Sequence, residues 1–298
     1  MGKNLFGSIV SYVAPSSNYR GESEANRTII QKISKGGKEF AVISPESIRN
    51  ALREVIAAKG LECNRTRLHD EEQLAVEFKD FPNAEKYADD FFFGYMVADS
   101  KTMKPHGRPA KRDSVLRMNM AVALSPYKFD TTFHQSPKNA GSSPWKNTDN
   151  SQLLHKEVTC TAFQFPFALS IDECLRNPNG SKWTAVLMES IGELASVAGG
   201  HARSFFEMSP RSIVLRMTPS LVAGFNTYGF DETGDFKELA RINQNDLPGK
   251  EFWIGGELVR NFSDSEKARL TAEGCHLFDN PQQCLKSVAD ETLKAGVR

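Results

Sequence analysis

The chain has no run of about 18 apolar residues, the length a membrane-spanning helix needs, so no segment is expected to cross a bilayer. Its first residues, Met1 to Leu5, have neither a long apolar core nor a small-residue cleavage site, and are not expected to form a secretory signal. Gly2 invites a myristoylation reading, but Phe6 stands where Ser or Thr is wanted. Cysteine is sparse. Cys63, Cys160, Cys174, Cys275 and Cys284 are odd in number, and no two are separated by only two or three residues. Zinc spacing and a disulfide framework are both excluded, which leaves free thiols in a reducing cytoplasm. None of the histidines His69, His106, His134, His155, His201 and His276 lies in an HExxH pattern. The GxSxG elbow of the α/β-hydrolases and the GxxxxGK[ST] loop of the nucleotide-binding proteins are missing too. Net charge is also absent, since 37 Lys and Arg balance 37 Asp and Glu. Neutrality of that kind argues weakly against nucleic-acid binding.

The balance is uneven along the chain. Between Lys101 and Asn147 stand Lys101, Lys104, Arg108, Lys111, Arg112, Arg117, Lys128, Lys138 and Lys146, opposed only by Asp113 and Asp130; nine minus two gives plus seven. From Asp231 onward the chain is mildly acid-rich. A neutral protein with one basic face can still hold a polyanion. At 298 residues, 40% of them hydrophobic, the chain can bury one large core or two smaller ones.

Periodicity outlines the elements. Residues 4–13 read as a strand, followed by a basic polar loop from Asn18 to Lys38 that contains Gly36-Gly37. The clearest helix runs from Ser44 to Lys59. Ser44 is its N-cap, Pro45 its first residue and Gly60 its stop, and Ile48, Ala51, Leu52, Val55 and Ile56 form its apolar stripe. Residues 63–114 lose periodicity and read as an insertion with a buried Phe91-Phe92-Phe93 cluster. A half-buried strand is expected along Leu116, Met118, Met120, Val122 and Leu124. The long segment 125–156 reads as an irregular loop. Thr159 to Leu169 reads as a strand, placed at a sheet edge by Pro166. A second helix over Lys182 to Ala198, stopped by Gly199-Gly200, leads to a final strand over 212–217, and the rest from Phe225 decorates the core. Without the insertions the order is strand, helix, strand, strand, helix, strand, the split βαβ order also used by RNA-recognition domains.

Few residues offer chemistry. Arg49 and Arg53 stand four apart on the first helix and repel each other, and an external anion near the helix start, with its free N–H groups at Glu46 and Ser47, would turn that repulsion into attraction. The rival explanation is a solvated face in which Glu46 pairs with Arg49 or Asn50. The basic loop can track phosphates, or it is simply a surface loop. In the long loop, Phe129, Phe133, His134, Lys138 and Trp145 combine base-stacking rings with cations, or the rings merely anchor the loop. His134 or His201 as a general base, and Asp130 as a metal ligand, are the thin catalytic options.

The peptide Ile43 to Glu54, following the NLFGSIVSY strand and the loop with Asn18, Arg20 and Arg27, resembles the DevR branch of the Cascade backbone family, the CRISPR-associated family numbered seven. Gly199 to Thr218 is similar to the same family, and the likeness runs from about residue 4 to residue 220. The resemblance implies an α+β fold: an RRM-like, ferredoxin-like palm with inserted fingers and a thumb loop. On this sequence the palm's first half takes 1–62, the fingers 63–114, a palm strand 115–124, the thumb 125–156, the palm's second half 157–222, and 223–298 form a C-terminal segment packed on the palm. It further implies a type I complex, of subtype I-B. Copies stack head to tail along a CRISPR RNA and present it for pairing with a target DNA strand, beside other Cascade subunits, with no cofactor, no metal and no membrane. The RNA contacts it implies are Asn18, Arg20, Arg27, Ser44, Ser47, Arg49, Asn50 and Arg53 from the palm, Phe133, His134 and Lys138 from the thumb, and Arg203 after the second helix. Neutral charge suits copies that stack, and the acid-rich C-terminal part would face a neighbour's basic side. Type III relatives cut RNA with a thumb aspartate, here Asp130 or Asp149, so two rivals stand beside a non-catalytic subunit: a metal- or histidine-dependent RNA endonuclease on the same fold, and a solitary RRM-like binding module.

Overall fold

The structure, a computed structural model, describes residues 3–17, 19–24, 27–67, 76–97, 109–135, 153–197 and 207–296. The strand Asn4–Ser11 lies in the middle of the main sheet, antiparallel to Phe163–Ser170 on one side and to Pro210–Thr218 on the other. Its alternation decides what each face meets. Leu5 and Ile9 point into a core shared with the helices, whereas Val10 joins a second core on the far face. Gly7 has no Cβ because one would run into the Phe167 ring.

Across the sheet the order is His276–Phe278, Phe252–Gly256, Pro210–Thr218, Asn4–Ser11, Phe163–Ser170, Ala121–Ala123, Lys38–Ile43 and Lys32–Lys35, and Leu116–Met118 also pairs with Phe163–Ser170. Asn4–Ser11 and Ala121–Ala123 are therefore separated by Phe163–Ser170, while Phe163–Ser170 and Pro210–Thr218 are separated by Asn4–Ser11. Helix α1 (Pro45–Ala58) follows the first of these strands, and α4 (Gly180–Gly192) precedes the last, with the shorter α2 (Ala88–Phe93) and α3 (Ile171–Arg176) between them in sequence. α1 and α4 touch, and α4 lies against the C-terminal helix Pro281–Gly296, so one helical layer covers one face. Ile48, Leu52 and Ile56 of α1 are fully buried there, each contributing about 1.5–3 kcal/mol of apolar burial.

The first helix forms as its sequence dictates. The Ser44 hydroxyl accepts from the Ser47 N–H at 3.2 Å, Pro45 follows it, and Gly60 beyond the C-terminus has φ +88°. Elsewhere tertiary pairing overrode the expectations. The expected loop from Asn18 to Lys38 contains the strands Tyr19–Glu24, Arg27–Ile30 and Lys32–Lys35. Two expected loops meet in one four-stranded sheet, ordered Thr131–Gln135, Leu153–Glu157, Arg27–Ile30 and Tyr19–Glu24. The irregular segment 125–156 is thus a hairpin at its base, with residues 136–152 outside the described part.

Pro166 is not at an edge, because its strand is paired on both sides. Its carbonyl accepts from the Asn119 N–H at 3.4 Å, so its missing N–H also faces that neighbour. There the neighbouring strand breaks into Leu116–Met118 and Ala121–Ala123, and Met120, expected to be buried, is exposed. α4 ends at Gly192, ahead of the expected stop at Gly199-Gly200, which lies outside the described residues. The strand over 212–217 is not the last. Phe252–Gly256 and His276–Phe278 extend the same sheet, and Phe225, Phe230, Phe236 and Phe252 build the second core, so the C-terminal part is structural rather than decorative.

Candidate nucleic-acid interface

The two arginines of α1 differ sharply. Arg53 is 7% exposed. Its Nε donates to Asp89 Oδ2 at 3.0 Å, its Nη1 donates to Asn50 Oδ1 at 2.6 Å, and its guanidinium lies 5.4 Å from the centre of the Phe93 ring. Burial holds the guanidinium below its ordinary pKa, and the neighbouring Arg65 adds to that shift while Asp89 opposes it. Arg49 lies one turn nearer the helix start. Among the described residues no carboxylate pairs with it, and its Nε is buried without a hydrogen-bond partner. The expected mutual repulsion of Arg49 and Arg53 is therefore cancelled on one side by Asp89, and the rival pairing of Glu46 with Arg49 does not occur. At the helix start the Ser47 N–H, expected to be free, already donates to Ser44, and the Ser44 and Ser47 hydroxyl oxygens stand 3.0 Å apart.

Asp89 links α1 to the inserted segment. Fully buried, it accepts from the backbone N–H of Asn64 at 2.7 Å and of Arg65 at 3.1 Å as well as from Arg53. Asp90 beside it accepts from the Asn64 side chain at 2.8 Å and from the Asn83 N–H at 2.9 Å, and burial pushes its carboxyl pKa up. Between α1 and this segment lies a cavity of about 510 Å³ lined by Asn50, Arg53, Arg65, Phe78, Met96 and Arg112, and also by the carboxylates of Glu46 and Asp113.

The remaining expected contacts fall in other places. Arg27 pairs with Glu24, stands 3.7 Å from Glu157 and covers the Phe129 ring at 5.3 Å, so it too has internal partners. Arg20 lies in the strand Tyr19–Glu24, while Asn18, Lys138 and Arg203 lie outside the described residues. Phe133 and His134 sit on the hairpin strand Thr131–Gln135. Phe133 is exposed and meets His155 edge to face at 5.4 Å, and His134 Nε2 is 2.9 Å from the Thr132 hydroxyl. Asp130 Oδ1 accepts from the Thr131 N–H at 2.8 Å. At the base of this hairpin the buried Glu157 accepts from the Ile30 N–H at 3.1 Å and from Lys32 Nζ at 3.3 Å. The sequence reading missed Asp89, Arg65, Phe78 and Met96. The one signal for them was the Asp89-Asp90 pair preceding three phenylalanines, since acids next to a buried aromatic run need internal partners.

Among solved structures the fold is similar to a chain of a CRISPR RNA-guided surveillance complex, pre-nicking, with TM-score 0.63, 12% identity, 97% of this chain and 100% of that chain covered. A chain of a CRISPR RNA-guided surveillance complex gives TM-score 0.55 and 14% identity over 97% of this chain and 99% of its own. These likenesses define the class by fold alone. No protein-family profile matches the chain. A curated relative from Myxococcus xanthus (strain DK1622), CRISPR-associated protein Cas7/Cst2/DevR, is 31% identical over 290 residues, covering 93% of this chain and 94% of its own length. The chain belongs to the Cas7/Cst2/DevR family.

Proposed function

We propose that this protein is a non-catalytic backbone subunit that binds CRISPR RNA, assembles with further copies of itself and with other Cascade subunits along it, and presents it for pairing with a target DNA strand in the cytoplasm. The observation that carries the reading is Arg49: a guanidinium with no carboxylate of the described chain to neutralise it, on the same helix as Asn50 and Arg53, which line a cavity walled by arginines and aromatic rings. A polynucleotide backbone supplies the missing anion. The interleaved strand order supports a split βαβ palm. The segment 63–114 acts as fingers and the hairpin rooted at Thr131–Gln135 and Leu153–Glu157 as the thumb. We assign the type I role on the DevR-like peptides. Arg53 and Arg27 act through position rather than as free phosphate ligands, since Asp89, Glu157 and Glu24 already hold them.

The test is salt-dependent binding of single-stranded RNA by the full chain. Each phosphate contact on a single strand contributes about 0.7 to the slope of log K against log salt. Arg49→Ala should weaken binding and lower the slope by about that amount. An unchanged slope would remove Arg49 from the interface. The endonuclease rival is tested by incubating labelled RNA with magnesium. Cleavage abolished by Asp130→Ala or His134→Ala would favour it over the subunit reading.

A further inference from the structure

We infer that the cavity between α1 and the segment carrying Phe78 and Met96 is a subsite for a single RNA nucleotide, with its base held against those two side chains and its acceptor atoms taken by Asn50, Arg65 and Arg112. This deepens the RNA-binding reading and rests on it.

Three features of the cavity carry the inference. The first is the orientation of Asn50. Arginine has donors and no acceptor, so the 2.6 Å contact from Arg53 Nη1 fixes the Asn50 oxygen toward Arg53. The amide NH2 is then what Asn50 can offer to the cavity it lines. Asp89 sets this arrangement by holding Arg53 from the other side at 3.0 Å, which makes Arg53 and Asp89 positioning residues. The second is a pair of cations. Arg65 and Arg112 line the same cavity, with Glu46 and Asp113 in its wall as well. Arg65 is held by the Gly94 carbonyl and by Asp90 at 3.6 Å, and Arg112 stands 3.9 Å from Glu173, so each guanidinium is fixed at one end and has further N–H groups to give to an acceptor from outside. The third is the apolar wall. Met96 is 70% exposed and Phe78 40% exposed, although both are large and apolar. Arg65 lies 5.0 Å from the centre of the Phe78 ring, so a cation and an aromatic face are offered together. Donors grouped with an exposed ring and a thioether suit a planar, acceptor-rich group joined to an anion, which describes a nucleotide. At about 510 Å³ the cavity has room for one.

The experiment is a binding cycle with the full chain and an oligoribonucleotide just long enough for one copy, made intact and as a scanned set with one base at a time replaced by an abasic ribose. The variants are Phe78→Ala with Met96→Ala, and Asn50→Asp. The first pair is exposed, so the fold should survive, and circular dichroism checks that it does. Asn50→Asp keeps an acceptor for Arg53 but removes the donors. With wild-type protein, one abasic position should weaken binding roughly ten-fold, the scale of losing one stacked base. That position should cost the Phe78/Met96 variant little more than it has already lost, and the variant's salt slope should stay at the wild-type value, because no phosphate contact is removed. Asn50→Asp should weaken binding of the intact oligomer by a similar factor. If no abasic position matters to the wild type, or if the abasic loss is as large in the Phe78/Met96 variant, the subsite is overturned while salt-dependent RNA binding stands. If the wild-type chain shows no salt-dependent RNA binding, both readings fall together.

Discussion

Replacing Arg53 by alanine should unfold more of this protein than its place on an amphipathic helix suggests. Asp89 is fully buried and would be left, among the described residues, with the backbone N–H groups of Asn64 and Arg65 as its partners. Removing one member of a buried pair costs about 3–5 kcal/mol, because the remaining ion is left uncompensated in a poorly polarisable surrounding. Thermal unfolding followed by circular dichroism should show a Tm lowered by about 6–10 °C, at about 2 °C per kcal/mol for a chain of this length. Added salt should leave the loss unchanged, since a buried pair is hardly screened. The double variant Arg53→Ala with Asp89→Asn should recover part of the loss, because a neutral amide needs no counter-charge, while its single oxygen accepts from one of the two N–H groups that Asp89 Oδ1 and Oδ2 now serve. Arg49→Ala, which breaks no ion pair among the described residues, should stay within about 0.5 kcal/mol of the wild type. The reasoning fails if Arg53→Ala melts with the wild type, or if Arg49→Ala costs as much.

Other expectations come from the same neighbourhood and from the thumb base. Burial raises the Asp90 carboxyl pKa, so the folded protein holds that proton more tightly than the unfolded chain does. Its contribution is most favourable below the ordinary carboxylate range and is lost as pH rises through the raised value. Asp90→Asn should therefore gain in Tm on the wild type as pH is raised from about 4 to about 7, and a constant difference would show that Asp90 is not the titrating group. Glu157→Gln removes the charge that gathers Lys32, Arg27 and the Ile30 N–H at the base of the hairpin sheet. The cost should be about 1–3 kcal/mol and should appear as faster hydrogen exchange at the Ile30 amide. Exchange at the wild-type rate would show that the hairpin is held by other contacts.

The first helix was legible from residues alone because all of its determinants are local: the Ser44 cap, Pro45, the stripe from Ile48 to Ile56 and the Gly60 stop act within a few residues of one another. The strand Phe163–Ser170 was legible for the same reason, since the alternation of Phe163, Phe165, Phe167 and Leu169 is written along the chain itself, and Asn4–Ser11 was legible from its run of aliphatic and aromatic residues. The edge position inferred for Pro166 failed because proline's missing N–H can equally be met by a break in the neighbouring strand, which depends on a segment more than 40 residues away. The sheet that roots the hairpin was invisible because it joins Arg27–Ile30 to Leu153–Glu157 across more than 120 residues.

The candidate site divides along the same line. Helical spacing alone places the guanidinium groups of Arg49 and Arg53 one turn apart on the first helix. The packing of an inserted segment settles which of them is already paired. Asp89 arrives from an inserted segment and buries Arg53, and no carboxylate among the described residues reaches Arg49. Charge compensation inside a protein depends on distance in space, and residues 36 apart in sequence carry no local mark of the pairing.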